Sequence, residues 1–434
     1  MAEQKSTRNL VLDILLLLER ENLLLGEAQK RVFEQNPDLD RRDRAFIRRL
    51  SVGTIERMLE LDYIINWFSK TKTEKMKPVI RAILRSGVYQ LKYMDSVPAS
   101  AACSEAVKLA VRRGFSGLKG FVNGVMRQTA AHLDEVEFPV PQEDLTAALS
   151  VRYSMPGWLV GRFLSRYGRE GSERIFSAFF AQRGMSMRVD TGRMTREAVL
   201  ASLSAQGIRA KADLRLPCAI EIQSADSPVA IPEFQEGLLY VQDISSMLAA
   251  DLAGAKPGDF VLDICAAPGG KSTYAAQTMQ GTGLVVARDQ NAYKVGLLQE
   301  NIVRCGLSNM RAEVYDACRF DPDMENRADI VIADLPCSGL GVIGSKPDIK
   351  YHASPERIRS LAVLQKEMLF WAGRYVKPGG TLVYSTCTLT PEENEENIAW
   401  FLREFPAFSL VCEREILPDG SCDGFYMAKL RRLT

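Results

Sequence analysis

From Asp259 onward, short apolar runs alternate with stretches of helical spacing, and this alternation narrows the fold more than any other feature of the chain. The runs are Phe260 to Ile264, Leu284 to Ala287, Met310 to Val314, Ile330 to Ala333 and Thr381 to Ser385, closed by a pair near Phe408 to Cys412 and Phe425 to Leu430. Such spacing predicts a doubly wound α/β sheet of seven strands built from βαβ units. In a sheet of that kind the carboxyl ends of the parallel strands open onto one crevice, so the residues that follow each strand are the ones to inspect.

The first strand runs into Cys265, Ala266, Ala267, Pro268, Gly269, Gly270 and Lys271, a turn of small residues feeding a helix, where a ligand can approach the backbone and meet N–H groups. Two common nucleotide motifs fail on this turn. A phosphate-binding Walker loop needs glycine where Cys265 stands, and the dinucleotide pattern G-x-G-x-x-G is absent. Acidic residues follow the next strands: Asp289 is suited to ribose hydroxyls, Asp316 to an adenine amino group, and Asp334 closes the fourth strand. Cys337 and Cys387 stand at the carboxyl ends of neighbouring strands. The remaining thiols Cys103, Cys218, Cys305, Cys318, Cys412 and Cys422 read as small buried hydrophobes. The residues alone leave open which of Cys337 and Cys387 would act as a nucleophile.

The rest of the chain is organised differently. Residues 1–135 read as an all-α domain, with Leu10, Val11, Ile14, Leu15 and Leu18 at helical spacing and Val79, Ile80, Ile83, Leu84 and Val88 repeating it behind Pro78. Residues 1–130 hold 23 Lys+Arg against 15 Asp+Glu, while the net charge of the whole chain is +1, so a basic front is balanced by an acidic remainder. Arg41, Arg42, Arg44, Arg48 and Arg49 crowd one helix, the pattern of a polyanion-binding face. A proline-bearing stretch, Phe138 to Gln142, marks a linker. Residues 146–240 read as a small α+β unit, with a helix from about Trp158 to Arg183, a strand Met185 to Val189 and a helix Thr195 to Gln206. Residues 241–434 hold the large sheet.

Nine cysteines without CxxC pairs, and only two histidines, argue for free thiols rather than a zinc site, and against histidine acid/base catalysis. The apolar run Leu10 to Leu18 is too short to span a bilayer and lacks a cleavage site, so a cytoplasmic protein with no membrane partner is expected.

Taken together, Cys265 to Lys271, Asp334 to Gly339, Lys346 to Lys350, and Thr386-Cys387 with Pro391 to Glu395 make the chain resemble the NOL1/NOP2/Sun family of RNA (cytosine-5) methyltransferases. Asp43-Arg44 with Phe46, Leu84 to Leu91 and Gly120 to Val125 look like the NusB-type helical RNA-binding fold, a combination similar to the Sun/Fmu-type members of that family. The resemblance implies a Rossmann-like seven-stranded methyltransferase domain that uses S-adenosylmethionine, held by residues 265–271 with Asp289, Asp316 and Asp334. It implies 16S rRNA as the partner, with no DNA, a monomeric enzyme, and the cytosine numbered 967 in standard rRNA numbering as the target. Carbon 5 of cytosine is a poor nucleophile until a thiolate adds to carbon 6. The resemblance gives that attack to Cys387 and product release to Cys337; the chemistry also needs a carboxylic group at ring nitrogen 3, a role Asp334 can supply. Leu335, Asp190 and Gly344-Ser345 depart from the family pattern, the last at a spot that is often rich in arginine.

Overall fold

The computed structural model describes residues 6–223 and 227–433. The chain folds as two compact units, Met1–Phe176 with Lys346–His352, and Ser177–Ser345 with Ala353–Thr434.

The first unit is helical: α1 (Thr7–Glu21), α2 (Leu25–Glu34), α3 (Arg41–Glu56), α4 (Met58–Phe68), α5 (Pro78–Tyr93), α6 (Ala99–Arg112), α7 (Lys119–His132), α8 (Leu145–Arg152) and the start of α9 (Gly157–Phe179). The apolar stripe of α1 packs Leu10, Val11, Ile14 and Leu15 against Ile47 and Leu50 of α3 and Ile80, Ile83 and Val88 of α5 in one core. Pro78 stands in the first turn of α5, where its missing N–H costs nothing, and Asp40 caps α3 by accepting from the Asp43 N–H at 2.7 Å. Helices α3 and α5 cross closely because Gly53 has no side chain: a Cβ there would lie 2.0 Å from the Tyr89 ring.

The basic face of α3 is smaller than its sequence implies. Arg41, Arg42, Arg48 and Arg49 are exposed, but the Arg44 guanidinium donates to the carbonyls of Leu39 and Pro37, each at 3.0 Å, and lies over the Phe33 ring. Arg44 therefore holds the loop before its own helix.

In the second unit, β1 (Met185–Val189), α10 (Arg196–Ala205), β2 (Ala210–Ala212), β3 (Ala219–Ile222), α11 (Pro232–Gln235) and β4 (Leu239–Val241) form an antiparallel sheet in the order β2-β3-β1-β4. After α12 (Ile244–Ala253) come β5 (Phe260–Asp263), α13 (Gly270–Thr278), β6 (Leu284–Asp289), α14 (Ala292–Cys305), β7 (Met310–Val314), β8 (Ala328–Asp334), α15 (Ile349–His352), α16 (Pro355–Tyr375), β9 (Val376–Thr386), α17 (Glu395–Glu404), β10 (Phe408–Ile416) and β11 (Phe425–Arg432). The seven strands stand in the order β10-β11-β9-β8-β5-β6-β7; β9 to β7 are parallel, and β11 and β10 return antiparallel.

Alternate residues serve opposite faces. Leu262, Val286 and Val331 pack with Leu369 and Ala372 of α16, while Val261, Val285 and Ile330 pack with Ala275 of α13 and Leu298 of α14. Strand order reverses between β5 and β8, so the crevice opens where the turn after β5 meets the loop after β8. Among the described residues, no helix is long and apolar enough to cross a membrane.

Helix α15 lies between β8 and α16 in sequence but belongs to the first unit. There Asp348 Oδ2 accepts from the Leu25 N–H at 2.8 Å, Lys350 Nζ donates to the Glu56 carbonyl at 2.8 Å, and the Tyr351 hydroxyl meets Ser154 at 3.1 Å. The same segment lines a cavity of about 290 Å³ together with Leu15, Leu18, Ile55 and Met58.

Candidate active site

The turn after β5 is held from several sides. Asp263, at the strand end, is buried and accepts from the Ser272 hydroxyl and from the Cys265 N–H; burial pushes its carboxyl up to about 7, and the neighbouring Asp334 adds to the shift. The Ala267-Pro268 peptide is cis, and the Pro268 carbonyl accepts from Tyr240 Oη at 2.8 Å and Asn301 Nδ2 at 3.2 Å. Gly269, at φ 110°, caps α13 in a left-handed conformation, and a Cβ there would come within 2.8 Å of Leu298. Behind the turn, buried Arg188 of β1 donates to the Gly270 carbonyl at 2.7 Å and to Thr273 Oγ1 at 2.8 Å.

The acidic residues sit at the strand ends. Asp289 closes β6 and accepts from the Asn291 N–H at 3.0 Å; Asp316, beyond β7, accepts from the Cys318 N–H at 3.0 Å. The Cys265 thiol is held well above its usual range, first by burial and then by Asp263, Asp289 and Asp334. Asp334 closes β8, where Lys271 Nζ reaches its Oδ2 at 2.6 Å and Ser385 Oγ donates to Oδ1 at 2.7 Å. Lys271 is only 6% exposed, so its ammonium is committed to Asp334 and to Ser246 Oγ at 3.0 Å, over the Phe425 ring. Its side chain thus reaches from the glycine turn to the end of β8.

Cys337 and Cys387 lie with their sulfurs 3.2 Å apart. The Cys337 thiol is held well above its usual range, first by its contact with Cys387, then by burial and by Glu393. The other cysteines divide as free thiols among the described residues: Cys103, Cys218, Cys305 and Cys422 are buried, Cys318 is half-buried, and Cys412 is exposed on β10, against the expectation of a buried hydrophobe. That strand forms one edge of the sheet, which leaves part of its surface uncovered.

Ser246, Phe425 and Arg188 were not singled out by the sequence. Ser246 lies before β5 and Phe425 near the end of the chain, and neither stands in a recognisable motif. The set of polar groups fits S-adenosylmethionine: two carboxylates suited to hydroxyl and amino groups flank a turn that carries no bulky side chain.

Three family models match in sequence order: the NusB family over residues 5–131, the ferredoxin-like domain of RsmF/B-like methyltransferases over 155–230, and the 16S rRNA methyltransferase RsmB/F model over 251–431. The chain is 36% identical to the probable ribosomal RNA small subunit methyltransferase B of Bacillus subtilis, over 99% of both chains. The crystal structure of PH0851 superposes with a TM-score of 0.82 at 26% identity, covering 99% of this chain and 100% of that one. NSun6 from Pyrococcus horikoshii with SFG, an S-adenosylmethionine analogue, shares the fold at 22% identity and a TM-score of 0.59, over 64% of this chain and 98% of that one. Full-length identity, the three models in order and the crevice together identify the chain as belonging to the ribosomal RNA small subunit methyltransferase B family, S-adenosylmethionine-dependent enzymes that methylate 16S rRNA.

Proposed function

We propose that this enzyme methylates carbon 5 of a cytosine in 16S rRNA, the one numbered 967, through a covalent bond between Cys387 and carbon 6. The observation that carries this reading is the pair of sulfurs 3.2 Å apart beside Asp334, at the carboxyl ends of neighbouring strands. S-adenosylmethionine, when bound by residues 265–271, Asp289 and Asp316, supplies an electrophilic methyl group. Everything else falls to the chain.

The Cys387 thiolate adds to carbon 6 of a cytosine drawn out of its stack, and the electron pair of the 5,6 double bond moves into the ring. A proton reaches ring nitrogen 3, where negative charge gathers, through Asp334 from the Lys271 ammonium 2.6 Å behind it. Carbon 5 is then enamine-like and takes the methyl group. In breakdown the remaining carbon 5 proton passes to a water molecule, its electron pair restores the double bond as the Cys387 sulfur departs as thiolate, and the nitrogen 3 proton returns to the Asp334–Lys271 pair. The 3.2 Å separation of Cys337 from the departing sulfur supports a role for Cys337 in this last stage.

A denaturing gel tests the scheme, with wild type, Cys387→Ala and Cys337→Ala each given 16S rRNA and methyl-labelled S-adenosylmethionine. Cys337→Ala is expected to accumulate a covalent protein–RNA species, and Cys387→Ala to give neither that species nor product. The reverse pattern exchanges the two roles, and a wild-type label that maps to another nucleotide overturns the target.

A further inference from the structure

Both loops that carry the thiols end in buried polar contacts to two consecutive residues, Glu393 and Asn394, each 0% exposed. A carboxylate removed from water is tolerated only when donors surround it, and Glu393 has them. It accepts from the Ser338 N–H at 2.8 Å, the Ser338 hydroxyl, Thr390 Oγ1 at 2.7 Å and Gln365 Nε2 at 3.1 Å. The same Gln365 amide donates to the Pro336 carbonyl at 2.8 Å. Glu393 therefore grips the loop on both sides of Cys337, directly at Ser338 and through Gln365 at Pro336.

Asn394 does the equivalent for the other thiol. Its Oδ1 accepts from Thr386 Oγ1 at 2.5 Å, and its Nδ2 donates to the Thr388 carbonyl at 3.0 Å, which brackets Cys387. The two grips also touch each other, through the Ser338 and Thr388 hydroxyls at 2.7 Å and the Gly341 N–H to the Cys387 carbonyl at 3.0 Å.

We propose that Glu393 and Asn394 are positioning residues with divided duties: Glu393 sets the Cys337 loop for breakdown of the covalent adduct, and Asn394 sets the Cys387 strand end for its formation. This rests on the thiol roles proposed above. Displacing a reacting group by about 1 Å costs on the order of 100-fold in rate, whereas general loosening slows both stages together. The division therefore predicts opposite signatures from neighbouring residues.

Glu393→Gln keeps the shape of the side chain but sets an NH2 group against donors. It is expected to form the protein–RNA adduct within about threefold of the wild-type rate and to turn over roughly 10–100-fold more slowly, so that adduct accumulates. Asn394→Ala is expected to slow adduct formation by a similar factor and to accumulate none. Should either protein fail to fold, Ser338→Ala and Thr386→Val remove single hydroxyls from the same grips and are expected to give weaker forms of the two signatures. Calorimetric binding of S-adenosylhomocysteine is expected to stay within about twofold of wild type in all four. Equal loss of formation and turnover in both members of a pair, or loss of that binding, overturns the division and leaves a merely structural network. If Cys337→Ala itself accumulates no adduct, the thiol roles fail first; if it does and Glu393→Gln and Ser338→Ala do not, only this inference fails.

Discussion

An ammonium group taken out of water loses solvation that its polar neighbours return only in part, and Lys350 records the balance. It is 1% exposed, donates to the Glu56 carbonyl, and is pushed down by burial to about 7. In the unfolded chain the same group titrates near 10.5. Between those two values the unfolded state holds a proton that the folded state has lost, so this residue makes stability rise with pH from about 7 to about 10.5; below 7 its cost is constant. Lys350→Met is expected to remove that dependence. Thermal melts from pH 7 to 10 should show the variant gaining on wild type most at pH 7 and least at pH 10, and parallel curves would refute the assignment. At this scale the site was partly legible. Asp334 closes a strand and Cys337 and Cys387 follow strand ends closely, which makes them legible, but the Lys271–Asp334 pair, Ser246 and Glu393 find their partners only through tertiary folding.

Among elements, the contact of α3 with α5 makes the sharpest claim. Gly53→Ala sets a methyl group where the buried Tyr89 ring lies, and overpacking of this kind costs roughly 1–3 kcal/mol. Urea unfolding should show the loss in the midpoint, and Gly53→Ala combined with Tyr89→Leu should recover part of it; an unchanged midpoint in the single variant would mean that the helices shift apart freely. The parallel strands were readable because both of their faces are buried, which leaves continuous apolar runs such as Val285 to Ala287. Strands β2 and β4 were not, since each has three residues and takes its hydrogen bonds from partners that local periodicity does not reveal. Helix α15 escaped for a related reason: its four residues bond to Glu56 and Ser154, far back along the chain.

On the scale of the whole molecule, the near-zero net charge hides a basic front, and its exposed part includes Arg41 and Arg42 on α3. Each arginine that neutralises one phosphate contributes about 1 to the slope of log affinity against log salt. Arg41→Ala with Arg42→Ala is expected to weaken 16S rRNA binding and to lower that slope by about 2, with S-adenosylhomocysteine affinity unchanged. Arg44→Ala, whose guanidinium serves two backbone carbonyls, should leave the slope alone and lower the melting temperature instead.

The docking of residues 346–352 in the first unit also bears on the order in which the protein is made. A ribosome delivers the helices of that unit first, yet the groups that pair with the Leu25 N–H and the Glu56 carbonyl arrive only with Asp348 and Lys350. At about 5–20 residues per second the wait is on the order of ten to thirty seconds, during which the unit stands without its last piece and the cleft beside α1 lacks part of one wall. The contacts of the helical unit are therefore complete only after the loop bearing Cys337 has been synthesised.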